Sequence, residues 1–336
     1  MAKERTPDEL QYRGTVNRIA WAMLIFEALF SAVGVLIAVI ALVLDEMAVV
    51  GLAYDLVAEL SYGFLYAAIF LLPVLFFRLF SKKAGTVPVF GEIHVPRDTV
   101  LYLLAGLALI SATAQINAML VSLFDASATV ESIFGSEGTG NHQLILMIFT
   151  TAVVPALVEE FLFRGMVLSN LLPYGKSTAI LGSALLFGVM HQNPAQLLYA
   201  TAAGLVLGYL YVKVRSIWPC VLLHLFNNFL SVIQIVMVER MPEQTANIAL
   251  SVMQGVIFLV GIVSAILLFL RHRETRREIL AEGCFEKDPL AEPSEATASL
   301  SFGQRVKHFF TVPMIIFFAI CVVMMLMPTL LTALLF

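Results

Sequence analysis

Residues 144–168 read LILMIFTTAVVPALVEEFLFRGMVL, an apolar run that carries Glu159, Glu160 and Arg164 in its second half. A membrane span needs about 20 mostly apolar residues, and this stretch supplies them. Ionisable groups at bilayer depth are costly enough to count as functional-site candidates by default. The run therefore predicts a membrane protein, and a span with more to do than anchor it.

Working outward, 60% of the 336 residues are apolar and 13% are charged, against about 25% charged in soluble domains. Candidate spans fall at residues 19–44, 60–77, 100–124, 144–168, 177–190, 195–212, 217–238, 248–270 and 309–336. The stretch 177–190 is too short to cross a full bilayer alone. His191-Gln192-Asn193-Pro194 follows it directly, so this turn is expected below the membrane surface, where irregular backbone is tolerated only if buried in protein. The expected fold is all-α: a polytopic integral membrane helix bundle, with an eight-helix core and a ninth transmembrane helix. Residues 1–270 read as the membrane-embedded domain, with a motif core at 144–238. Residues 271–308 read as a cytoplasmic linker, basic at first, then acidic around Glu278, Glu282, Glu286 and Asp288 and broken by Pro289 and Pro293. Residues 309–336 read as a final transmembrane helix. The Ser-, Gly- and acid-rich loop 125–143 is expected on the outer side.

Lys and Arg collect on the cytoplasmic side of membrane proteins. With the N-terminus inside and these spans, every Lys and Arg except Arg240 falls on a cytoplasmic segment or, for Arg164, toward the cytoplasmic end of its span, a pattern that a miscount would scramble. The expected location is the cell membrane, N-terminus cytoplasmic and C-terminus outside. Met1–Gly14 is too charged, and the first apolar run too long, for a cleaved signal. The net charge of −4 points to no nucleic-acid partner. Cys220, Cys284 and Cys321 have no metal or redox spacing and read as inert thiols.

The chemistry is expected on three helices. In Glu159-Glu160-Phe161-Leu162-Phe163-Arg164, Glu160 and Arg164 stand at i,i+4 and can form an ion pair, while Glu159 points about 100° away. Glu160 with Arg164 makes buried charge tolerable; Glu159 is the candidate general base. A purely structural charge network explains this motif equally well. Phe187 and His191 share one face of the next helix, and His224 and Asn228 share a face two helices on, with Asn227 expected to point elsewhere. At about 1.5 Å per residue, Glu159 lies about 14 Å from the inner end of its helix, His191 roughly 20 Å and His224 nearer 10 Å, so with tilt the three can converge. A carboxylate and a histidine can activate water while a second histidine and an amide stabilise the oxyanion of an attacked carbonyl. Glu159, His191 and His224 also make a possible zinc ligand set with an open position for water. Glu27, Asp55, Glu59, Gln115 and Asn117 are more simply read as bonding to neighbouring helices or reaching the interface than as lining a channel.

Glu-Glu-x-x-x-Arg-Gly, then Phe-x-x-x-His, then His-x-x-x-Asn, in this order on successive membrane helices, resembles the CAAX prenyl protease and bacteriocin-processing (CPBP, or Abi) family of intramembrane proteases. The resemblance covers about residues 144–238. It implies an endopeptidase that cuts a membrane-embedded or lipid-anchored polypeptide. Glu159 and His191 would activate the water, His224 and Asn228 would hold the oxyanion, and Glu160 and Arg164 would support them. The preferred mechanism requires no cofactor; zinc is the alternative. Other readings are a noncatalytic membrane scaffold or bacteriocin-immunity protein, and a proton-coupled transporter. The partners expected are a membrane peptide or protein substrate and membrane lipid.

Overall fold

The apolar runs fold as helices throughout a computed structural model that describes residues 6–46, 52–81, 97–123, 141–282 and 300–335. In chain order they are α1 (Pro7–Glu46), α2 (Leu52–Phe80) and α3 (Thr99–Leu123). Next comes α4 (residues 141–171), then α5 (Lys176–Met190), α6 (Pro194–Val214), α7 (Trp218–Arg240) and α8 (Glu243–Glu282). The last two are α9 (Phe302–Phe309) and α10 (Val312–Leu335). Among the described residues, 7 helices are long and apolar enough to cross a membrane, and α9 with α10, bent by 66°, makes up to 8. These, with the 15-residue α5, account for all the spans predicted from the sequence. The protein is a multi-pass membrane helix bundle. At 1.5 Å per residue α5 is about 22 Å long, short of the roughly 30 Å hydrocarbon layer. Loop residues 124–140 and linker residues 283–299 lie outside the described residues, as do the side chains of Asp55 and Glu59 and the whole of Cys284.

Helix α4 is continuous but not uniform. Two wide π-helical turns, Ile148–Val153 and Phe161–Leu168, bracket the α-helical stretch Val154–Glu160. Wide turns of this kind are rare in helices and concentrate at functional sites.

Helices α5 and α6 pack closely enough to require small residues. A Cβ on Gly188 would lie 1.9 Å from Thr201 Oγ1, and one on Gly204 would lie 2.9 Å from the Ala184 Cα. The tight turn between them places Gln192 at φ 50°. Asn193 then caps α6, its Oδ1 accepting from the Ala195 N–H at 2.9 Å, with Pro194 in the first turn, where a missing N–H is harmless.

The last helix is built into the bundle. Met314, Phe317 and Cys321 of α10 are fully buried, with α1 as the main neighbour. At the end of α9, Phe309 fills the space left by Gly182 of α5, where a Cβ would come within 2.9 Å of its ring. Two of the polar residues within spans bond to a neighbouring segment, as expected: Asn117 donates to the Ala195 carbonyl at 2.6 Å, and the buried Glu27 accepts from Gln192. Gln115 is exposed.

Candidate active site

At the end of the stretch between its two wide turns α4 buries Glu159 and Glu160, and within the second wide turn it buries Arg164. The i,i+4 pair forms: Arg164 Nη1 donates to Glu160 Oε1 at 2.9 Å with both side chains fully buried. The guanidinium has further partners that desolvation makes necessary. Its Nη2 donates to the Gly204 carbonyl at 3.1 Å, and its central carbon lies 4.8 Å from the centre of the Phe187 ring. Gly204 thus serves both the α5–α6 contact and the arginine.

From α7, His224 reaches the same carboxylate, with Nδ1 at 2.8 Å from Glu160 Oε1. A carboxylate only accepts, so Nδ1 carries the hydrogen and Nε2 is turned outward. Nε2 stands 3.9 Å from Glu159 Oε2, and the imidazole lies between the two carboxylates. Glu159 is held on its other side, where Oε1 accepts from the Tyr66 hydroxyl of α2 at 2.5 Å. Its Oε2 is buried and makes no hydrogen bond within the protein. Glu160 Oε2 is likewise buried without a hydrogen bond, but the two adjacent glutamates differ in setting: Glu160 is committed through Oε1 to a cation and a histidine, and only Glu159 lines the cavity.

This cavity, of about 70 Å³, is lined by Glu159, Phe187, His191, Tyr199, His224, Asn227, Asn228 and apolar residues of α3 and α6. It is polar on one side and roomy enough for water. His191 enters from the end of α5, its Nδ1 2.7 Å from the Phe187 carbonyl. A carbonyl cannot donate, so Nδ1 is protonated and a neutral ring offers Nε2 as an acceptor. Asn228 Nδ2 donates to the Thr151 carbonyl at 3.0 Å, which leaves its second N–H, and Thr151 lies in the first wide turn of α4.

The structure brings Glu159, His191, His224 and Asn228 to this one cavity, with Glu160 and Arg164 behind it. It corrects the expectation for Asn227. That side chain faces the cavity as well, donating to the Tyr199 hydroxyl oxygen at 2.6 Å and to Asn228 Oδ1 at 3.2 Å. Facing groups on both α6 and α7 draw it inward. Tyr66 and Tyr199 were missed by sequence reasoning. Tyr66 had a faint signal, since Tyr62 and Tyr66 form an i,i+4 pair with rings 5.7 Å apart; Tyr199 had none.

Among the described residues, no group of three or more His, Cys, Asp and Glu side chains is placed to hold a metal ion. Glu159, His191 and His224 share a cavity without being gathered as ligands.

The described helices thus bring one glutamate, two histidines and two asparagines to one cavity, with Glu160 and Arg164 behind it. Residues 141–230 match the family model of the type II CAAX prenyl endopeptidases, Rce1-like, a segment that contains all six predicted site residues. Over 103 residues the chain is 33% identical to "Putative membrane peptidase YdiL" of Bacillus subtilis (strain 168), covering 30% of this chain and 41% of that protein. The chain thus spans less than half the length of that relative. No solved structure matches the chain. Both matches agree with the CAAX prenyl protease and bacteriocin-processing resemblance carried by the motifs.

Proposed function

We propose that this protein is an intramembrane endopeptidase that hydrolyses a peptide bond of a membrane-embedded or lipid-anchored polypeptide, using a water activated by Glu159 and His191. The observation that carries the reading is the bare Glu159 Oε2, buried beside the cavity and 3.9 Å from His224 Nε2. A buried carboxylate oxygen without a partner is costly, and a water held there satisfies it.

The hydrogen-bond pattern supports a division of labour. Glu159 Oε2 and His191 Nε2 are acceptors, suited to orienting a water and taking its proton. His224 Nε2, when protonated, and the second Asn228 N–H are donors, suited to the oxyanion that forms as water adds to the carbonyl carbon. When the tetrahedral intermediate collapses, the C–N bond breaks and the leaving amine takes the proton that Glu159 received from water. Asn227, bonded to Asn228 Oδ1, keeps the Asn228 amide turned with its donors forward.

The distribution of Lys and Arg supports an N-terminus on the cytoplasmic side. The test is direct: purified protein in detergent micelles is offered candidate membrane peptides, and wild type is compared with Glu159→Ala and His224→Ala. Cleavage by the wild type alone is expected. Equal cleavage by all three overturns the role of these residues, and no cleavage by any of them favours a noncatalytic role for the cavity.

A further inference from the structure

Helix α1 lies outside the matched residues 141–230, yet two adjacent residues on it connect toward the cavity by different routes. Phe26 meets Phe70 with ring centres 4.9 Å apart, and Phe70 lies against Tyr66 at 4.8 Å. Tyr66 in turn holds Glu159. Glu27 goes the other way. Only 3% exposed, it accepts from Gln192 Nε2 on both carboxylate oxygens at 2.7 Å. On its far side Cys321 Sγ of α10 stands 3.9 Å from Oε2.

Gln192 is the residue after His191. Its φ of 50° lies in the left-handed region that residues other than glycine seldom adopt, and such a conformation persists where its surroundings hold it. Glycine would adopt it freely, but glycine has no side chain to anchor. The glutamine accepts the strained backbone and uses its amide to fasten the turn to α1. A carboxylate is an expensive group to bury for packing alone, whereas a rigid two-point acceptor is what this anchor uses.

We propose that Glu27 is a positioning residue of the hydrolytic site: by binding Gln192 it fixes the turn that ends α5, and with it the ring of His191. This rests on the hydrolase reading above. Glu27 touches no reacting atom and acts only through Gln192.

The test uses the full chain in detergent micelles and three variants: Glu27→Ala, Glu27→Gln, and the swap Glu27→Gln with Gln192→Glu, which rebuilds the pair with donor and acceptor exchanged. Two quantities are measured, the kcat and KM of cleavage and the ¹⁵N-histidine NMR spectrum. The His191 signal is identified by its loss in His191→Gln. Glu27→Ala is expected to shift the His191 signal, leave that of His224 in place, and lower kcat by about 10- to 100-fold at little-changed KM, as small misplacements do. Glu27→Gln, which keeps one acceptor oxygen, is expected to fall between, and the swap is expected to restore signal and rate together. An unmoved His191 signal in folded Glu27→Ala overturns the proposal. So does a swap that folds but recovers neither quantity, which is the deciding arm if Glu27→Ala does not fold. A wild type that cuts nothing counts against the hydrolase reading alone, since the NMR arm still reports whether Glu27 sets the His191 ring.

Discussion

His224 is oriented by Glu160: its Nδ1 donates to the oxygen that also receives Arg164, at 2.8 Å and 2.9 Å. One oxygen thus serves a charge-balancing pair and the histidine that faces the cavity. Removing the carboxylate in Glu160→Ala leaves a buried guanidinium without its counter-charge, which costs about 3–5 kcal/mol. A large fall in thermal midpoint is expected. Glu160→Gln keeps an acceptor but not the charge, so it is expected to fold better than Glu160→Ala while still losing turnover. A Glu160→Ala protein as stable as wild type refutes this account.

Glu159 predicts the opposite balance. Its Oε2 makes no hydrogen bond within the protein, so Glu159→Gln is expected to melt near wild type while cleavage drops by about 10²- to 10⁴-fold, the usual range for a general base. Treating the wild type with a strong chelator is expected to leave the rate unchanged, with no metal found by elemental analysis. A rate lost to the chelator and restored by zinc defeats the metal-free mechanism.

Tyr66→Phe removes the single hydroxyl that bonds Glu159 Oε1 at 2.5 Å and keeps the ring against Phe70. Leaving a buried acceptor unpaired costs about 1–3 kcal/mol. Part of that is expected as lower stability and part as lower kcat, with KM little changed. A higher KM at wild-type kcat marks Tyr66 as a substrate contact instead.

If His224 and Asn228 hold the oxyanion, each alanine substitution lowers kcat by about 10²- to 10³-fold with KM close to wild type. Asn228→Asp, which exchanges a donor for an acceptor, is expected to do at least as badly as Asn228→Ala. An active Asn228→Asp removes that residue from the oxyanion site.

Gly188 tests the frame rather than the chemistry. A Cβ there overlaps Thr201 Oγ1 at 1.9 Å and approaches the Leu197 carbonyl at 2.9 Å, so Gly188→Ala must push α5 from α6. Overpacking of this kind typically costs about 1–3 kcal/mol. Thermal unfolding checks it, and pairing Gly188→Ala with Thr201→Ala is expected to recover part of the loss by removing the hydroxyl that the new methyl meets.

What could be read from the sequence was local. Helical spacing gave the Glu160–Arg164 pair, the different direction of Glu159 and the short α5 with its buried turn. Contacts between helices carry no such spacing. Tyr66 meets Glu159 across 93 positions and Gln192 meets Glu27 across 165, and nothing in the intervening chain announces either. Asn227 failed for a related reason: a 100° offset turns a side chain away from one neighbour, but the cavity between α4 and α6 spans more than that angle of α7. The wide turns of α4 had no sequence signal, because Ile148–Val153 and Phe161–Leu168 are as apolar as ordinary spans.

Those turns change what kind of mutation the site can survive. An i→i+5 turn holds one residue more than an i→i+4 turn, so each wide turn is, in register, a one-residue insertion stored inside a membrane helix. Deleting a single residue from Ile148–Val153 allows that turn to close into regular α-helix, with the segments on either side kept near their present faces but the widened backbone around Thr151 lost. The carboxylate would keep its identity and its face while the carbonyl that Asn228 bonds lost the widened turn that now presents it. In this helix chain length is itself a functional parameter, and a deletion that leaves every named side chain in place can still dismantle the site.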